Sequence, residues 1–395
     1  MYNAQLALLF VCGFLLSRLL VKVRVPEHLV GRLFHQELSV ARIVLYLVAL
    51  SAFLSVFIPN AVTAIALLPV VMLIQQKLIE QDLGDHSAIT TALALAVIYG
   101  ANIGGMASIT ATPANGLLVA YATLRHIPDQ DVLRFDGWLL WGIPLTAALV
   151  LLAGAILVLC LSGVRWSQKA RALNGLLPAH EGELAVANRM TLAFLVASVL
   201  LSAAMHATSE RTWVLVVTVF FFAIFIWLLF GRRDPSPLLT WNDCFKGLPW
   251  RGLRIASVVV VLTILGSLFG VIEHAAEAAA HVLPDSLDTI GAFTWVAVLT
   301  SFTTQFMTNT VVQLALFETL HAHPDTGPLL IYLLLVVTLS STCAFMTPIA
   351  TGVNGLVYGE LEGTSLWRML LAGAVMNVVA AVVIASCVYY VVAAV

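Results

Sequence analysis

The sequence predicts an all-α polytopic membrane protein made of two inverted-topology repeats. Each repeat would carry a re-entrant helical hairpin and an interrupted transmembrane helix, giving about eight full spans plus two hairpins. Three observations predict this. Of 395 residues, 61% are apolar and 10% charged, whereas soluble domains carry about 25% charged residues. The apolar residues fall in runs of bilayer-spanning length, about 20 residues. Two polar-interrupted regions then recur, with matching residues, in the two halves of the chain.

The same composition excludes a soluble enzyme and a disordered chain. A net charge of −2 offers no basic field to nucleic acid. The five cysteines (Cys12, Cys160, Cys244, Cys343, Cys387) form no Cys-x-x-Cys pair. They read as small hydrophobes, with neither a disulfide framework nor a zinc site. No His-Glu-x-x-His and no Gly-x-Ser-x-Gly occurs, so neither an enzyme nor an organic cofactor is expected.

Segments 3–23, 88–124, 138–163, 190–207, 211–231, 251–273, 328–360 and 367–394 read as spans. The first has no basic start, and Arg18, Lys22 and Arg24 follow its apolar run. It therefore reads as a span, not a cleaved signal. Regions 41–78 and 290–320 are pairs of apolar arms around a polar break. At about 17 residues, or ~25 Å, each arm falls short of a ~30 Å core. Such pairs are either two short spans or re-entrant hairpins. Counting basic residues decides between them. With both pairs re-entrant, sixteen of the 19 Lys and Arg fall on one side, and only Arg125, Arg134 and Arg211 on the other. The rich side is cytoplasmic by the positive-inside rule. Both termini then face outward, and the first hairpin opens from the cytoplasm.

The first repeat accordingly covers 1–163, a cytoplasmic connector 164–189, and the second repeat 190–395. Asn60-Ala-Val-Thr-Ala-Ile-Ala-Leu in the first hairpin faces Asn309-Thr-Val-Val-Gln-Leu-Ala-Leu in the second. Ala111-Thr-Pro-Ala-Asn-Gly-Leu in segment 88–124 faces Ala350-Thr-Gly-Val-Asn-Gly-Leu in 328–360. Proline and glycine break helix there, and backbone freed at membrane depth survives only within protein or beside a cavity. Broken helices at matching positions mark the midplane site of many secondary transporters. No Lys or Arg lies in the interior of a span, and Arg18 is near a helix end, so an anion would be held by helix N-termini and neutral side chains. Freed carbonyls and hydroxyls could take a cation.

These tips and loops resemble the divalent anion/sodium symporter family of the wider ion transporter superfamily. The carrying residues are Thr308-Asn309-Thr310, Asn60 with Thr63 and Pro69, the run Ile103-Gly-Gly-Met-Ala-Ser-Ile-Thr-Ala-Thr-Pro-Ala-Asn115, and Thr347-Pro-Ile-Ala-Thr-Gly-Val-Asn354. The resemblance implies a homodimeric elevator carrier in a bacterial inner membrane, moving a small di- or tricarboxylate or another divalent anion with sodium as coupling ion. It implies substrate contacts from Asn60, Thr63, Thr308, Asn309, Thr310 and Thr351. It implies cation contacts from Asn60, Gly104, Thr112, Asn115, Asn309 and Asn354. Two departures matter. Pro59 and Ala61 replace two hydroxyl residues of the first tip, and the helices 190–207 and 211–231 have no counterpart in the first half. Proton coupling, cation-independent exchange and an oxyanion exporter of the wider superfamily therefore stay open.

Other polar residues have plainer readings. Glu273, His274, Glu277 and His281 have helical metal-ligand spacing but read as a solvated interfacial helix, and Glu318 and His321 as solvated residues near a hairpin end. Gln305 and Gln313 flank the second tip, and either could face the site; Asn102 and Asn377 need partners inside spans. Trp138, Trp141, Trp166, Trp213, Trp241, Trp250 and Trp367 read as an interfacial belt.

Overall fold

The structure is a computed structural model that describes residues 2–25, 28–29, 36–57, 60–109, 111–171, 181–207, 211–231, 237–245, 269–270, 274, 277, 281–284, 286–324 and 326–392. Almost all of the expected span 251–273, with Pro59, Thr110, Trp250 and Glu273, lies outside the described residues. In the first half the helices are α1 (Tyr2–Lys22), α2 (Val40–Phe57), α3 (Asn60–Glu80), α4 (His86–Gly104), α5 (Pro113–Leu124) and α6 (Phe135–Cys160). Then come α7 (Glu181–Ala207), α8 (Arg211–Phe230) and the short α9 (Trp241–Phe245). The second half ends in α10 (Ile290–Thr303), α11 (Asn309–Ala322), α12 (Leu330–Ser341), α13 (Gly352–Glu360) and α14 (Leu366–Cys387). Leu38–Ser39 pairs antiparallel with Lys169–Ala170 and ties the start of α2 to the connector.

Among the described residues, six helices are long and apolar enough to cross a membrane: Asn60–Glu80, His86–Gly104, Phe135–Cys160, Glu183–Leu201, Thr212–Phe230 and Leu366–Val392. Segment 328–360, expected as an interrupted helix, divides into helices of 12 and 9 residues, each too short to span alone. Conversely, α3, expected as a hairpin arm of about 17 residues, is a helix of 21. It runs on through Gln75-Gln-Lys-Leu-Ile-Glu80 because Ile74 and Leu78 on its inner face are fully buried. Helices α10 and α11, in the region expected to form the second hairpin, are shorter than expected, at 14 residues each or about 21 Å.

Helix α4 forms the centre of the first half and is buried from Ala88 to Gly104. It packs on α2, α3, α6 and α13. Its approach to α2 is backbone-close: a Cβ on Gly104 would collide with the carbonyl of Ala52. Small residues let membrane helices approach in this way. In the second half α10 packs against α12 and α14. Helices α7 and α8 lie against α1 and expose Leu200, Trp213, Phe220 and Trp227, an apolar face suited to lipid. Arg18 is the one charged side chain that is buried among the described residues.

Candidate functional site

Both interruptions are built from a threonine, a helix start and an asparagine. In the first half Thr112 caps α5 by accepting from Asn115 N, and Pro113 occupies the first helical turn, where a missing N–H costs nothing. Asn115 is fully buried, and its Nδ2 donates to the carbonyls of Gly105 and Ser108 at 3.0 Å each. In the second half Thr351 caps α13 by accepting from Asn354 N at 3.2 Å. Asn354, also fully buried, donates from Nδ2 to Ala344 O at 2.7 Å and Thr347 O at 2.8 Å. The spacing is the same in both loops, with partners ten and seven residues before the asparagine. An asparagine amide thus supplies the N–H groups that an unbroken helix would have given these carbonyls.

The two tips also share a pattern. Ser55 Oγ donates to Asn60 Oδ1 at 2.7 Å, and Thr304 Oγ1 donates to Asn309 Oδ1 at 2.7 Å. In each case a hydroxyl five residues upstream fixes the asparagine that opens the second arm. The first tip faces its own interruption: a Cβ on Gly105 would lie 2.9 Å from Asn60 Oδ1. The glycine against the tip is therefore Gly105. Gly104, the sequence candidate, is the last residue of α4, packed on Ala52, and its carbonyl accepts from Ala107 N. The second tip is knitted more heavily to its loop. Gln305, fully buried, donates to Cys343 O at 2.9 Å and accepts from Met346 N at 3.0 Å, while Thr347 Oγ1 donates to Gln305 O at 2.7 Å.

Unpartnered polar atoms mark the remaining places where a ligand could bind. The hydroxyls of Thr63 and Thr308, Oδ1 of Asn115 and Oε1 of Gln313 are buried and have no hydrogen-bond partner among the described residues. Such an atom costs about 1–3 kcal/mol unless something pairs with it. Thr63 is wholly buried, Asn60, Asn309 and Thr351 are half-buried, and Thr310 is exposed. Asn60 and Asn309 are thus accessible from one side and held by hydroxyls from the other.

The halves meet at two buried amides. Asn102 on α4 donates to Ala344 O at 3.2 Å and Asn354 Oδ1 at 3.3 Å. Gln313 on α11 donates to Ala114 O at 3.2 Å. Asn377 donates to Ser301 O at 3.2 Å, tying α14 to α10. Further out, Arg125 at the end of α5 pairs with Glu318 of α11 at 2.7 Å; both are about half exposed. Glu318, read from sequence as merely solvated, is therefore part of a link between halves. Trp138 leaves the expected interfacial belt altogether. It is fully buried and donates to Met106 O at 2.8 Å, inside the first interruption. Ser55, Thr304 and Trp138 were missed because their roles depend on contacts; the five-residue hydroxyl–asparagine spacing at both tips was the available signal for the first two.

Neutral groups, helix ends and carbonyls freed by helix breaks, buried in an apolar helical bundle, are the features of a membrane transporter site. The sequence pattern of the citrate transporter family matches residues 1–338, and the chain belongs to that family. It is 23% identical over 421 residues to the sodium-dependent dicarboxylate transporter SdcS of Staphylococcus saprophyticus, covering 99% of this chain and 77% of that protein. It is 24% identical over 336 residues to the Na(+)/dicarboxylate cotransporter 3 of Rattus norvegicus, covering 72% of this chain and 53% of that protein. These names agree with the divalent anion/sodium symporter resemblance carried by the tips and loops.

Proposed function

We propose that this chain is a secondary active carrier of a small di- or tricarboxylate, coupled to sodium. The observation that carries the reading is the doubled arrangement of a hydroxyl-held tip asparagine beside an asparagine-pinned helix break. Substrate carboxylates are held by Asn60, Thr63, Thr308, Asn309, Thr310 and Thr351, through amides, hydroxyls and the N-termini of α3 and α11. Sodium is held near Asn60, Gly104, Thr112 and Asn115 in one half and near Asn309 and Asn354 in the other. The buried, unpartnered Oδ1 of Asn115 fits a cation as ligand. The residues fall into two inverted repeats, 1–163 and 190–395, joined by the connector 164–189. Transport follows elevator-type alternating access in a homodimer of the bacterial inner membrane, with both termini outward and the first hairpin opening from the cytoplasm. The names of the two relatives support sodium and a dicarboxylate. The family description supports a carboxylate.

The test is uptake of radiolabelled succinate, citrate or sulfate into proteoliposomes in sodium or choline buffer. Saturable uptake of a carboxylate that needs sodium is the expected result. Uptake indifferent to sodium would remove the coupling, and non-saturable flux would remove the carrier.

A further inference from the structure

The two loops treat their asparagines differently. Asn115 Oδ1 in the first has no donor among the described residues. Its counterpart, Asn354 Oδ1, has two: Thr351 Oγ1 at 2.8 Å and, from the other half, Asn102 Nδ2 at 3.3 Å. The same Asn102 nitrogen reaches Ala344 O at 3.2 Å. We propose that Asn102 is an internal competitor at the second cation loop, its amide nitrogen occupying the two oxygens, Ala344 O and Asn354 Oδ1, that a coupling cation would take there.

This rests on the reading of the loops as sodium sites and deepens it. Asn102 is not what shapes the loop. Asn354 is already fixed by its own bonds to Ala344 O and Thr347 O at 2.7 and 2.8 Å and by Thr351. The contacts of Asn102 are the longest at that asparagine, and an N–H···O bond beyond 3.2 Å is weak. The N–H hydrogens of an amide carry partial positive charge and approach oxygens as a cation does. A sodium ion entering the second loop must therefore displace the Asn102 amide.

The test is thermal unfolding of the purified full-length protein in rising sodium chloride against choline chloride, with no organic substrate present. The wild type should be stabilised by sodium. In Asn102→Ala the half-saturating sodium concentration should fall roughly fivefold, the effect of removing about one competing hydrogen bond. Asn102→Ser, which keeps a small polar side chain, should shift the same way and decides the matter if the alanine variant does not fold. A purely structural role would lower the melting temperature in choline and leave half-saturation unchanged or raised; that result in a folded variant overturns the inference and leaves the transport reading standing. A wild type that ignores sodium overturns sodium coupling, and the inference with it.

Discussion

Thr304 Oγ1 lies 2.7 Å from Asn309 Oδ1 and 3.1 Å from the carbonyl of Ser341, the last residue of α12. The single proton of this buried hydroxyl is shared between two acceptors, the shorter contact orienting the second tip and the longer one lying at the start of the second break. With Oδ1 engaged, the Asn309 amide is left to present its N–H groups, which suits a carboxylate. Thr304→Val keeps the shape and removes the donor. The KM for a transported dicarboxylate should rise about tenfold, the equivalent of ~1.4 kcal/mol. Thr303→Val is the control, because that hydroxyl only bonds back to Leu299 O at 2.7 Å, and its KM should not move. Equal KM values for the two variants would sink the role given to Thr304.

The neighbouring glycines Gly104 and Gly105 should fail in different ways. A Cβ at 104 would meet the Ala52 backbone, which cannot yield without separating α2 from α4. A Cβ at 105 would meet Thr112 Cγ2 at 2.5 Å and Asn60 Oδ1 at 2.9 Å, which are side chains that can turn away. Gly104→Ala should lower thermal stability by about 1–3 kcal/mol, the usual cost of overpacking. Gly105→Ala should stay folded and lose sodium-dependent uptake, because the tip and cap it displaces are candidate ligands. Melting curves and uptake measured side by side separate the two.

Much of this was legible in the sequence because it is local. The Thr-x-x-Asn caps at 112–115 and 351–354 are spelled out within one turn, and so are the breaks that precede them. The short arms around Asn309 follow from where the polar residues sit. What was not legible depends on distance across the fold. Nothing in the sequence brings Asn102 to Ala344, 242 residues away, or Arg125 to Glu318, 193 residues away. The length of α3 was underestimated because hydropathy counts a run of polar residues as an end, while Leu78 still packs inward. Trp138 was misassigned because a tryptophan near a span end reads as interfacial whichever way the ring turns.

That ring gives a third prediction. Trp138 Nε1 donates to Met106 O at 2.8 Å, and the ring packs on Trp141 with centroids 4.7 Å apart. Met106 lies in the first break, where the helix no longer supplies its own donors. Trp138→Phe leaves that carbonyl unpaired and also shrinks the packed ring. Thermal unfolding should show a loss of about 1–3 kcal/mol. Substitution of the exposed Trp213 or Trp367 by Phe should cost less than ~0.5 kcal/mol. A loss at Trp138 no larger than at these would mean that Met106 O finds another donor.

At the other end of the molecule, Asp243 of α9 holds the last turn of α1. Its Oδ2 lies 2.9 Å from Lys22 Nζ and 2.8 Å from both the N–H and the hydroxyl of Thr240, while Arg18 donates to its main-chain carbonyl at 2.9 Å. Partial burial works against the charged carboxyl, but the Lys22 and Thr240 donors outweigh it and hold the carboxyl below its usual range. The sign follows. A carboxyl with a depressed folded pKa adds stability that is fully present above its unfolded value, about 3.9. That stability is lost as pH falls through the folded value. Asp243→Asn should therefore melt below the wild type at pH 7, and the gap should narrow as pH drops beneath about 4. Salt should narrow it too, since Lys22 is about a third exposed. A gap that stays constant from pH 7 to pH 3 would mean that the Asp243 charge contributes nothing and that α9 is held by Arg18 and packing alone.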